Sequence, residues 1–200
     1  MNIIGCAVWQ GENVSERPQP VLHATTERGE KITLRPAEMR DVDAILATCT
    51  DPETREWTSM PLDYGREKAI GFVEGYAPGW WERGDGAAWV IADPSGDYAG
   101  QLDLRIDPRD RKVADVGFIT APQARGRGYM TAAVRAAVEF GFGELGLERI
   151  EWRAHVGNEG SKRVAEKVGF VYEGTLRHGC TRRGERRDAW FGAIIRADLP

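Results

Sequence analysis

Three strand-like runs, Ala87 to Ala92, Tyr98 to Ile106 and Lys112 to Thr120, follow one another with only turn-forming clusters between them. The links Asp93-Pro94-Ser95-Gly96 and Asp107-Pro108-Arg109-Asp110 are too short for a crossover. The three strands are therefore expected to be antiparallel neighbours. After the third strand the period changes at a glycine-rich loop. A helix is expected from about Gly128 to Leu145, with Met130, Val134, Val138 and Phe142 on its buried stripe.

The flanks extend this pattern. Lys31 to Pro36 reads as a short strand stopped by proline. Asp41 is placed to cap a helix carrying Val42, Ile45 and Leu46 up to Thr50, and Asp51-Pro52 breaks it. A second amphipathic helix is expected from Arg66 to Arg83. Beyond the central helix come a strand (Arg149 to His155), a helix (Asn158 to Val168) closed by Gly169, and two strands (Val171 to Arg177, Arg187 to Ile195) joined by a basic loop, Gly179 to Arg186. Residues 1–30 are read as an N-terminal extended arm, strapped over the surface or partly disordered, and 31–198 as one α+β domain around one mixed, largely antiparallel sheet.

With 42% hydrophobic and 29% charged residues, the 200-residue chain has the composition of a soluble globular protein. Its net charge of −4 gives no reason to expect nucleic acid or an anionic membrane as partner. Cys6, Cys49 and Cys180 form no CxxC spacing, and His23, His155 and His178 form no metal-ligand pair, so neither a disulfide framework nor a metal site is expected. Met1 to Trp9 is apolar but short and lacks a basic n-region, and Ile3-Ile4-Gly5-Cys6 is taken as a chance likeness to a lipoprotein cleavage box. No stretch is long enough to span a bilayer. A cytoplasmic location is expected, and a homodimer is left open.

The loop between the third strand and the helix, Thr120-Ala-Pro-Gln-Ala-Arg-Gly-Arg-Gly-Tyr-Met-Thr131, carries the chemistry. A helix N-terminus leaves backbone N–H groups unpaired and carries about half a positive charge. Gly126 and Gly128 permit positive φ, so successive N–H groups converge on an anion, with Arg125 and Arg127 at the rim. A phosphate or pyrophosphate site is the direct reading. A P-loop would need Lys followed by Ser or Thr after the glycines, which is absent. A dinucleotide fingerprint would need a third glycine where Thr131 stands, although Glu148 lies at the spacing of a ribose-binding acid. A turn that merely caps the helix is the remaining alternative.

Gln123-x-x-Gly126-x-Gly128 resembles the pyrophosphate signature of the GNAT acetyltransferase superfamily. Asn158-Glu-Gly-Ser161-x-x-Val164-Ala165-x-Lys167-x-Gly169-Phe170-x-x-Glu173-Gly174 resembles its second cofactor helix and following strand, most closely in the branch of ribosomal-protein N-terminal (alanine/serine) acetyltransferases. The resemblance spans residue 31 to about 195 and implies a three-layer α/β/α sandwich, acetyl-CoA as donor, and transfer of an acetyl group to a primary amine. It implies main-chain contacts from Phe118, Ile119 and Thr120 to the pantetheine arm. It also implies a pyrophosphate cradle of backbone groups from Gln123, Ala124, Arg125, Gly126, Arg127, Gly128 and Tyr129, with Met130 and Thr131 opening the helix. Asn158 would contact the cofactor arm and Ser161 would stand near the thioester sulfur as proton donor to the leaving thiolate, helix capping being the plainer role of both. Phe170 is read as core.

No glutamate occupies either position where relatives carry a base. Asp115, the carboxylate inside an otherwise apolar strand, is the preferred catalytic candidate beside Ser161, with a solvated or salt-bridged Asp115 as the alternative and His155 as a weaker choice. Arg55 to Leu62 and the hairpin Gly179 to Arg186 are expected to border the acceptor groove, where Arg182, Arg183, Arg186 and Arg187 either favour an acidic acceptor or form a solvated tip. Trp57, Trp80 and Trp81 line the groove or fill the core, and the adjacent pair cannot share one face of a helix. Two other functions fit the same sequence: a transferase of a larger acyl group such as succinyl, and a non-catalytic CoA sensor.

Overall fold

The structure is a computed structural model that describes residues 17–199. Its strands are β1 (Leu22–Thr25), β2 (Lys31–Arg35), β3 (Gly86–Ala92), β4 (Tyr98–Asp107), β5 (Asp110–Thr120), β6 (Arg149–His155), β7 (Val171–Arg182) and β8 (Glu185–Ile195). The helices are α1 (Val42–Thr50), α2 (Pro52–Trp57), α3 (Arg66–Gly71), α4 (Ala77–Glu82), α5 (Tyr129–Gly143) and α6 (Glu159–Val168). The strands form one eight-stranded sheet in the order β1-β2-β3-β4-β5-β6-β8-β7. All neighbours are antiparallel except β5 and β6, which α5 joins as a parallel pair.

Strand alternation assigns the layers. Leu104 of β4 faces α5, where the missing side chain of Gly141 lets Leu104, Leu147 and Ile150 approach the helix. Asp103 and Arg105 point to the opposite face, where Tyr76, between α3 and α4, lies against them. β3 is buried at every residue because both layers cover it. The α5 stripe is wider than the expected i, i+4 row: Tyr129 to Val134, Ala137, Val138 and Phe140 to Phe142 are all buried. The central helix thus meets the sheet with most of its surface. In α6 only Ala165 is buried, so that helix is a polar outer element.

Four features differ from the sequence reading. The boundary at residue 31 falls inside a hairpin, because β1 pairs with β2 from Leu22↔Leu34 to Thr25↔Lys31. Upstream, Gln19 Nε2 donates to Ala88 O (2.7 Å), and the indoles of Trp81 and Trp89 donate to the carbonyls of Arg17 (2.6 Å) and Pro20 (2.9 Å). Residues 1–16 of the expected arm lie outside the described residues. The helix expected over 66–83 contains a π-helical turn at Phe72–Tyr76, and within it Trp81 is buried while Trp80 turns to a cleft. The basic loop expected at 179–186 is mostly strand, closed by a tight turn at Arg183 (φ 50°) and Gly184 (φ 82°).

The fourth concerns Asp41, whose side chain does not cap α1. It accepts from Arg35 Nη1 (2.7 Å) and Nη2 (2.8 Å) and from the Glu38 N–H (2.8 Å). The two side chains are 10% and 3% exposed, so removing one partner strands a buried charge. Among the described residues no helix is long and apolar enough to cross a membrane. Asp41→Ala should lower unfolding free energy by about 3–5 kcal/mol in urea titration. A loss under about 1 kcal/mol would mean the pair behaves like a surface bridge.

Candidate active site

Residues after β5 turn through a 3-10 segment at Pro122–Ala124 into α5. Gln123 Nε2 donates to Tyr98 O (3.1 Å), which ties the turn to the start of β4. Gly126 (φ 73°) and Gly128 (φ 82°) then adopt the left-handed conformation that side chains disfavour. The first backbone donor satisfied beyond them is Ala132, to Gly128 O (3.1 Å). Among the described residues no acceptor faces the N–H groups of Gly126 through Thr131, as the start of a helix requires.

The loop's arginines are engaged elsewhere. Arg125 donates to Asp51 (2.5 Å), Glu53 (2.7 Å) and Thr54 (3.2 Å) around α2. Arg127 donates to Glu30 (2.7 Å), which also accepts from the Tyr129 hydroxyl (2.9 Å). These two donors hold the Glu30 carboxyl below its ordinary range. Side chains therefore fix the loop's shape, and the local dipoles are left to meet an anion.

Beside the loop the sheet opens. β5 pairs with β6 only from Val113↔Arg149 to Val116↔Trp152, yet β5 continues to Thr120 and β6 to His155. Each diverging arm remains paired behind, to β4 as far as Thr120 and to β8 as far as His155. Phe118, Ile119 and Thr120 thus line a wedge with one backbone edge facing it. At its mouth stands the start of α6. Asn158 Oδ1 accepts from the Ser161 N–H (3.0 Å) and caps the helix, and the Trp152 indole donates to Ser161 Oγ (2.9 Å). The Ser161 hydroxyl thereby keeps its own proton available.

The wedge widens into a cleft of about 1520 Å³, larger than the roughly 300–1,000 Å³ of a pocket for one small ligand. One wall is aromatic: Tyr64, Phe72, Tyr76 and Trp80 line it, with Phe72 and Tyr76 stacked at 5.8 Å and Tyr76 and Trp80 at 5.5 Å. Its floor is the polar face of β4 and β5. Arg105 Nε donates to Asp115 (3.1 Å), and a guanidinium nitrogen also reaches that carboxylate. Asp103 lies beside them, and burial pushes its carboxyl up to about 6.

The far rim is a clasp between α2 and the β7–β8 hairpin. Arg182 donates to Glu56 (2.6 Å) and Arg183 to Arg55 O (3.2 Å). Arg186 reaches His178 O (3.4 Å) and Arg187 reaches Glu185 (3.0 Å), so the four arginines, read as favouring an acidic acceptor or forming a solvated tip, all have partners. His155 is buried behind this rim with Nδ1 unpartnered among the described residues.

One cleft brings together Asp115, Phe118 to Thr120, Ala124 to Gly126, Gly128 to Thr131, Asn158 and Ser161. The side chains of Gln123 and Arg127 point into structural contacts instead. Asp115 is half exposed and ion-paired, the alternative kept open by the sequence. Asp103 was missed, although the alternation Leu102-Asp103-Leu104-Arg105 signals a strand whose second face is polar. Phe170 is core, at 7% exposure.

Residues 31–171 match the acetyltransferase (GNAT) domain family. The chain is 28% identical over 177 residues to the putative ribosomal N-acetyltransferase YdaF of Bacillus subtilis, covering 87% of this chain and 96% of that protein. It is 29% identical over 171 residues to the L-amino acid N-acetyltransferase AaaT of Escherichia coli, covering 83% and 99%. Its fold superposes with a TM-score of 0.78 on Mycobacterium smegmatis RimJ, solved in complex with CoA-disulfide, at 24% identity over 90% of each chain.

Burial, then the cations Arg182 and Arg187, hold His155 below its ordinary pKa. His155 should titrate by NMR with a midpoint under about 6.5, and Arg187→Gln should move that midpoint up. A midpoint at or above the ordinary value would contradict the buried, cation-flanked environment.

Proposed function

The chain belongs to the GNAT acetyltransferase family, and from that premise we propose that it transfers the acetyl group of acetyl-CoA to the α-amine of an amino acid or of a peptide N-terminus. The observation that carries this is the row of N–H groups from Gly126 to Thr131 without acceptors among the described residues, set beside the parted edges of β5 and β6. A pyrophosphate fits the first and an extended arm bearing amides fits the second. The residues in hand thus suit acetyl-CoA as donor, which supplies an activated thioester.

The chain's own part is mainly positional. Holding amine and thioester in one cleft replaces a bimolecular encounter, and backbone N–H groups on the free edge of β5 are placed to stabilise an oxyanion. Ser161 serves as proton donor to the leaving thiolate, since its oxygen already accepts from Trp152 and its hydrogen is free to point elsewhere. Asn158 shapes the start of α6 so that Ser161 meets the wedge.

Ionisation favours an α-amine. At pH 7 about one α-amine in ten is neutral, against about one lysine side chain in 2,500. The aromatic wall suits an arriving ammonium of any amine, which is attracted to ring faces. The similarity to an L-amino acid N-acetyltransferase also points to an α-amine.

Isothermal titration should show acetyl-CoA binding that Gly126→Glu abolishes, because a carboxylate would occupy the anion cradle. Unchanged affinity in that variant would remove the loop from the site. Thiol release assayed across amino acids, Ala- and Ser-initiated peptides, polyamines and Nα-blocked lysine should give the highest kcat/KM with α-amines. Preference for a polyamine or lysine would overturn the acceptor assignment, and binding without turnover on any amine would indicate a sensor.

A further inference from the structure

Four carboxylates border the floor of the cleft, and they differ in their company. Asp107 binds Arg109 (2.9 Å), Asp115 binds Arg105, and Glu151 binds Arg149 (3.0 Å). Asp103 alone among these lacks a hydrogen-bonded cation. Its nearest guanidinium nitrogen, on Arg105, is 3.9 Å away, because Asp115 holds that group from the other side. The Asp103 side chain is only 19% exposed, and its Oδ1 has no hydrogen-bond partner among the described residues.

Its position is equally particular. Asp103 pairs across the sheet with Gly117, the first residue of β5 past the last β5–β6 pair, Val116↔Trp152. The carboxylate therefore lies at the apex of the wedge, on the face lined by the aromatic wall. A Cβ at position 117 would come within 2.5 Å of Asp103 Oδ1, so only glycine there lets the carboxylate lie over the β5 backbone.

We propose that Asp103 is the general base of the reaction, taking a proton from the acceptor's ammonium group at the wedge apex and releasing it to solvent after acetyl transfer. This role presupposes the acetyl transfer proposed above. The N–H bond to be broken yields its proton to the carboxylate, and its electron pair stays on nitrogen as the lone pair that attacks the thioester carbon. As the C–S bond breaks, the attached nitrogen sheds its second proton to form the amide, and that proton reaches the thiolate through Ser161 or water, so the hydroxyl ends as it began and one proton in all passes to solvent. The groups facing Asp103 are Arg105 on its own strand and Asp115 on β5, with the Tyr76 hydroxyl beyond Arg105. Burial foremost, with Asp115, raises the carboxyl, while Arg105 and the backbone N–H groups of Gly117 and Asp103 lower it, leaving it at about 6. It is therefore ionised at neutral pH yet more basic than an ordinary aspartate, as a general base requires.

The test is the pH dependence of kcat/KM for a single α-amine acceptor of pKa near 8. Wild type should lose activity on acidification with a midpoint near 6, the deprotonated carboxylate being the active form. In Asp103→Asn, activity should instead follow the neutral fraction of the amine. It should be about tenfold lower at pH 7, converge with wild type above the amine's pKa, and show a larger deficit with an acceptor of higher pKa. Asp115→Asn removes a like charge and frees Arg105 to turn to Asp103, so its acidic limb should shift to lower pH. Calorimetry with acetyl-CoA and a thermal melt establish that each variant is folded and binds donor. An acidic limb unchanged in Asp103→Asn, or a loss uniform at every pH, would overturn the proposal while leaving acetyl transfer standing. A wild type that binds acetyl-CoA but turns over no amine would overturn both.

Discussion

Hydrogen bonding between β5 and β6 ends at Val116 and Trp152, while both strands run on with their outer edges still paired to β4 and β8. Neither arm can swing to close the gap without breaking a ladder behind it, so two backbone edges are held apart. Backbone donors and acceptors in a protein interior require partners, and an extended molecule bearing amides supplies them. Because the two strands are parallel, the helices that follow them also start at the same end of the sheet. α5 begins beside Thr120 and α6 beside His155, so two positive helix termini converge where the wedge opens. An anion site next to an extended slot follows from the connectivity of two βα units.

The charges around the loop are arranged to keep it in shape. Arg125 reaches back to α2 and Arg127 reaches across to Glu30 in the β1–β2 hairpin. Compensated in this way, the guanidiniums are occupied, and the backbone N–H groups of the helix start are left without acceptors among the described residues. Glu30 lies just outside the domain as the sequence delimits it, yet it pins both Arg127 and Tyr129. The N-terminal hairpin is thus a support of the loop as well as an edge of the sheet.

What was legible in the sequence is what local chemistry determines. Turn clusters fixed the meander, Asn158 and Gly169 fixed the ends of α6, and Gly126 with Gly128 marked the loop. What escaped depends on partners far along the chain. β1 has a weak alternation of its own and forms because β2 offers an edge. Asp41 sits where a cap belongs, but Arg35 claims its carboxylate. The hairpin at Arg183-Gly184 looked like a loop because its arginines are polar, although they are held by Glu56, Glu185 and main-chain carbonyls. Asp115 stood out as a charge in an apolar strand, and its significance could be judged only once Arg105 was found opposite it.

The polar face of β4 and β5 carries a cost that a structural role alone does not repay. Two aspartates around one arginine leave a net negative charge partly removed from water, and an apolar set would stabilise the sheet at least as well. Leu102 and Leu104 do that on the opposite face of the same strand. The π-helical turn at Phe72–Tyr76 is a comparable departure from regularity, and it sets Tyr76 over the same charges. Such departures concentrate where function demands them. Here the carboxylate that lacks a hydrogen-bonded cation, the aromatic wall and the unclosed sheet meet at Gly117, where a side chain would fill the space. The place proposed for the chemistry is thus marked by convergence of several locally unfavourable choices on one glycine, more than by any single residue type.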